Sequence, residues 1–155
     1  MVRREFVVAF IALCAWRSAN AGAEQEVSSL ERAARAGTPA AIRRLFVLRS
    51  EADGAVGEDI DIVLGSTVTA HAQVFLEELK RSGQVRRLDG LLGNLGESFA
   101  DDFAGQLREL ERRKAALEAV HTPALGEIRR LCLASLDDTI RQLHSASARN
   151  SGHGA

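Results

Sequence analysis

Residues 99–143 read FADDFAGQLRELERRKAALEAVHTPALGEIRRLCLASLDDTIRQL, and two helical periods are written into them. Phe99, Phe103, Leu107, Leu110, Leu117 and Val120 recur at helical spacing and trace one apolar stripe. Arg108, Glu109, Glu111, Arg112 and Arg113 fall on the opposite side. After His121-Thr122 the pattern resumes with Leu125, Ile128, Cys132, Leu136, Ile140 and Leu143. A link this short makes the two helices antiparallel neighbours. Ser98, with Asp101 three residues on, predicts a capping-box-like start for the first of them.

Working outward, the chain's two prolines both occur as Thr-Pro, at Thr38-Pro39 and Thr122-Pro123. Proline at a first helical position leaves no N–H orphaned, and threonine before it can accept a bond from the first turn. Each pair therefore marks a helix start. Further helices are expected over 25–36 with Gly37 as the stop, 39–49, 53–64 capped by Asp53 and ended by Gly65, 69–82 closed by Gly83, and 85–92. Gly93-Asn94-Leu95-Gly96 then reads as a tight link. The fold class is all-α: a compact irregular helical bundle of about six or seven helices, ending in an antiparallel hairpin. The alternative is a short HEAT-like solenoid, because Ile42-Leu45-Phe46 after Gly37 and Leu88-Leu91-Leu92 after Gly83 match at a 46-residue offset.

The N-terminus reads differently. Arg3 and Arg4 precede an uncharged apolar run from Phe6 to Trp16, and Ala19-Asn20-Ala21 and Ala21-Gly22-Ala23 offer small-x-small sites. This is the pattern of a secretory signal peptide, residues 1–21, cleaved after Ala21 or Ala23. Eleven apolar residues before Arg17 fall short of the ~20 that a spanning helix needs, so no stable membrane anchor is expected. Acylation of Cys14 is disfavoured by the bulky Leu13 before it. Residues 22–144 then form one domain and residues 145–155, rich in Ser, Ala, Gly, Asn and His, a disordered tail.

Composition narrows the function classes. Without Arg3, Arg4, Arg17 and Glu5, the 20 basic and 21 acidic residues reduce to a net charge of −3, which argues against nucleic acid as a partner. There is no tyrosine, and the single tryptophan, Trp16, leaves with the signal. Four phenylalanines remain, Phe46, Phe75, Phe99 and Phe103, too few for base-stacking or sugar-binding platforms. Nearly all basic residues are arginine, with Lys80 and Lys114 the exceptions, which suggests a GC-rich bacterial genome.

No catalytic, cofactor or metal constellation emerges. Asp53, Glu58, Asp59 and Asp61 are the densest acids, but a calcium loop from Asp53 would place Ala55, Glu58 and Leu64 where it needs a ligand, a glycine and a glutamate. Acids near a helix start complement its dipole. His71, His121, His144 and His153 have no i, i+4 pair, and a Gly-x-Ser-x-Gly elbow is missing. Ser28-Ser29 and Ser66 read as caps or turns, and the glycines of 90–96 lack the strand and Lys-Ser/Thr of a phosphate loop. Cys132 is a core thiol between Ile128 and Leu136, or the link of a homodimer. The pairs Arg43-Arg44, Arg86-Arg87, Arg112-Arg113 and Arg129-Arg130 read as solvated helix faces, as with Glu109 and Arg113 at i, i+4.

The expectation that follows is a periplasmic or secreted, non-enzymatic helical protein-binding module of the bacterial envelope: an adaptor, a chaperone-like factor or an immunity-type protein. Its partner would be another envelope or secreted protein. The alternative is a secreted enzyme whose site is assembled from scattered residues, for example Glu97 or Asp101 with His121.

Overall fold

Pro39 and Pro123 each begin a helical segment, as their fixed backbone angle dictates. The threonine half of that argument does not hold: neither Thr38 nor Thr122 makes a side-chain cap bond. The computed structural model describes residues 25–52 and 54–151. The signal-peptide segment, Asp53 and His153 lie outside these residues.

Among the described residues six α-helices follow in order: α1 over 25–35, α2 Pro39–Glu51, α3 Gly54–Ser82, α4 Leu88–Gly93, α5 Phe103–Glu118 and α6 Gly126–Ser151. Single 3-10 turns, Glu97–Phe99 and Pro123–Leu125, lead into α5 and α6. No strand occurs among the described residues. The fold is an all-α bundle. At the end of α1, Thr38 N–H bonds the Ala33 carbonyl and Gly37 N–H bonds that of Ala34, with Gly37 at φ +78°. That is a Schellman stop, and it turns the chain directly into α2.

The hairpin of the last third is present. Lys114 bonds Asp137 at 2.7 Å and Arg129 donates to the Val120 carbonyl, pairings whose order shows α5 and α6 antiparallel. α6 keeps Ile128, Cys132, Leu136 and Ile140 buried, one stripe as the spacing predicts. It continues through Ser145, where the tail was expected, to Ser151; Ser145 Oγ returns a bond to the Arg141 carbonyl and Ala146 and Ala148 favour helix.

Three sequence expectations need correction. Gly65 does not end a helix: α3 runs through it and spans 29 residues, with a kink at His71 (φ −137°, ψ 39°). Gly65 is there for close approach, since a Cβ would lie 2.6 Å from Arg113 Nη1 and from the Leu91 carbonyl. The kink follows Ser66 and Thr67, whose hydroxyls bond back to the Val63 and Leu64 carbonyls, a habit that bends helices. Ser98 does not cap α5. Asp102 does, accepting from Gly105 N–H at 2.7 Å, so the helix begins a turn later than expected. The two halves of the suggested repeat also fold differently, into a 13-residue α2 and a six-residue α4.

The core is continuous. α3 packs on α2, α4, α5 and α6, and α4 lies against α6. At its centre the Phe46 and Phe75 rings sit 5.9 Å apart, both fully buried. None of the helices among the described residues is long and apolar enough to cross a membrane.

Candidate functional site

The residues singled out by sequence separate into those the fold absorbs and those it leaves facing solvent. Cys132 is completely buried, and burial alone pushes its thiol up to about 12. Such a thiol is neither a nucleophile nor, in this fold, open to a second subunit. His71 packs at the α3 kink: a Cβ on Gly37 would meet its ring at 2.5 Å, and Nε2 lies 3.2 Å from the Arg35 carbonyl. The imidazole thus closes the end of α1.

Glu97 and Asp101 precede α5, while His121 follows it. The 16 residues of that helix separate them by about 24 Å of axis. The fold does not assemble them into one site. His144 is exposed on α6. Among the described residues no group of three or more His, Cys, Asp or Glu side chains is placed to hold a metal ion.

The paired arginines part company. Arg43 forks onto Glu78 through Nε and Nη2 at 2.8 and 3.0 Å, and Arg81 reaches the same carboxylate. Glu78 is 2 % exposed, and the Arg43 hydrogen bonds hold its carboxyl below the usual range against the opposing effect of burial. Arg44 bonds Glu26 and ties α2 to α1. Arg113 is 3 % exposed; its Nη1 donates to the Leu92 carbonyl at 2.7 Å and reaches that of Asn94 at 3.4 Å. Its Nε lies 3.5 Å from Glu109 but makes no hydrogen bond. Desolvation lowers the Arg113 pKa, partly countered by Glu109. These groups hold helices together.

Arg86 and Arg87 behave otherwise. They line a cleft of about 660 Å³ where the end of α2, the first turns of α3 and the α3–α4 link meet. Its wall also includes Arg49, Ala52, Gly54, Glu58, Asp61 and Val85. Arg49, 10 % exposed, pairs with Asp61 through Nε and donates from Nη2 to the Arg87 carbonyl at 3.1 Å. Arg87 itself has φ +58°, the one non-glycine residue among those described with positive φ. A long side chain there costs about 1–2 kcal/mol of backbone strain. Gly54 (φ +52°) and Gly83 (φ +67°) border the same cleft, so three of the five left-handed residues described surround it. The side chains of Arg86, Arg87 and Glu58 have no partner among the described residues.

A second surface lies at the start of α5. Phe103 is 38 % exposed, and Phe99, half-buried, does not pack on the core cluster. Both were expected on the core stripe. Phe99 sits in the 3-10 turn that precedes α5 and so leaves the helix register, while Phe103, on the face of Leu110 and Leu117, is the first residue of α5 and lies off the core cluster at the helix end. Glu97 and Asp101 beside them are exposed and unpaired among the described residues. Asp102 caps α5 and lies 3.7 Å from Arg108.

Sequence reasoning missed Arg49, whose role depends on a carbonyl 38 residues away. Nothing in the local spacing could have signalled it. Compared with protein-family models, curated proteins and solved structures, the chain matches none of them.

Proposed function

We propose that this chain is an exported, non-enzymatic helical binding module of a bacterial envelope, working as an adaptor, a chaperone-like factor or an immunity-type protein. It engages a partner protein through the Phe99–Phe103 end. The observation that supports this reading is that two of the four phenylalanines outside the signal region lie off the core, one of them 38 % exposed. The exposed part of an aromatic ring stabilises nothing in the monomer, whereas covering it is worth about 1 kcal/mol to a complex. Glu97 and Asp101, exposed and unpaired, set the rim. A complementary partner carries an apolar anchor flanked by Lys or Arg.

The test is crosslinking in the extracytoplasmic fraction of the native host, comparing the wild type with Phe99→Ser/Phe103→Ser. The expected result is a mature chain starting at Gly22 or Glu24 and a crosslinked protein that disappears in the double variant. Both side chains are off the core, so the variant folds. A partner retained by the variant, or an unprocessed chain confined to the cytoplasm, overturns the reading.

A further inference from the structure

The cleft bordered by Arg49, Arg86 and Arg87 has no part in that reading, and it stands on separate observations. We propose that it is a binding site for a small organic molecule carrying an oxyanion, a phosphate or a carboxylate.

Donor supply comes first. Each guanidinium carries five N–H donors in a planar fork, suited to two-point contact with such a group. Arg86 and Arg87 engage none of theirs with the described protein, and Arg49 hydrogen-bonds through Nε and Nη2, leaving Nη1 as its spare group. Elsewhere Arg43, Arg44, Arg81 and Arg113 direct their donors to carboxylates or carbonyls. In the cleft, two arginines with unengaged donors stand beside a third.

Construction comes second. Arg49 is nearly buried, and its bond to the Arg87 carbonyl fixes the peptide that carries the strained left-handed turn. That contact holds the consecutive arginines at the rim of a concavity. A Cβ on Gly54 or Gly83 would meet nothing within 4 Å, so both positions face open space at the border of the cleft.

Charge and size define the ligand. Asp61 neutralises Arg49, and Glu58 is the one other carboxylate lining the cleft among the described residues. The described lining residues, Arg49, Arg86 and Arg87 against Asp61 and Glu58, therefore carry one positive charge in excess. At about 660 Å³ the space falls in the range of small-molecule sites and exceeds a bare anion. Ala52 and Val85 offer apolar wall for the rest of the molecule.

The experiment is an amide chemical-shift titration of the labelled mature chain, with inorganic phosphate and succinate as separate probes. Saturable shifts are expected at residues 49–58 and 83–88, driven by phosphate for a phosphorylated ligand and by succinate alone for a carboxylate. Arg86→Ala/Arg87→Ala weakens the effective probe by about tenfold or more, while Arg130→Ala, an exposed arginine lost elsewhere, leaves it unchanged. Glu58→Gln removes a repulsive charge and tightens binding, an outcome that misfolding cannot imitate. Shifts scattered over the surface, equal weakening by Arg130→Ala, or no saturation with either probe overturns the assignment.

Discussion

The two ends of α4 are each held by an arginine that reaches a backbone carbonyl, yet the surroundings of the two are opposite. At the C-terminal end Arg113 passes over Gly65 and bonds the Leu92 carbonyl from a position 3 % exposed. Every neighbour there is protein, and no room remains for anything else. At the N-terminal end Arg49 bonds the Arg87 carbonyl beside an open cleft, with its counterion Asp61 at hand and two further arginines unengaged. A buried cation with carbonyl acceptors cements the bundle; an anchored one beside free cations leaves chemistry for a ligand. The lesson is that an arginine's role follows from how its donors are used, which a count of arginines does not reveal.

The sharpest way to break this comparison is Arg113→Ala. It empties a packed volume and strands the Leu92 carbonyl, so a loss of about 3 kcal/mol is expected in chemical denaturation. A loss no larger than that of an exposed arginine, under about 0.5 kcal/mol, would make the two ends equivalent. Glu78→Gln probes the other enclosed charge. Because the Glu78 pKa is lowered from 4.5, its contribution is present above pH 4.5 and is lost as the pH falls through the depressed folded value. The stability gap between wild type and variant should therefore be widest at neutral pH and close on acidification below 4.5. A gap constant across that range would remove the carboxylate from the account. The smallest effect belongs to the open end, where Arg87→Gly relieves the left-handed strain and raises stability by about 1 kcal/mol. A decrease would mean that the Arg87 side chain supports the fold.

Much of the fold could be read from short-range patterns. Proline starts, the Gly37 stop and the Ile128–Ile140 stripe depend on neighbours within a turn or two, and they appear where expected. The failures have two causes, contact across the bundle and the choice of capping residue. Gly65 resembles a helix stop until Arg113 and the Leu91 carbonyl arrive at its surface. Phe99 and Phe103 fit the core stripe until Asp102, rather than Ser98, caps α5, which leaves Phe99 in the preceding 3-10 turn and Phe103 at the first residue of the helix. Of the arginine cleft the sequence showed the pair Arg86-Arg87 but not the concavity, since Arg49, Gly54 and Gly83 come from three separate stretches and meet through folding.

The kinked α3 has a consequence for how the molecule comes apart. It touches α2, α4, α5 and α6, and His71 at its bend closes the end of α1. No other helix can lose its seat without exposing some of this one. Opening events smaller than complete unfolding are thus confined to the chain's extremities, and the amides of residues 60–79 should be the last to exchange with deuterated solvent. A bundle organised in this way has a single cooperative unit, with one bent axle at its centre.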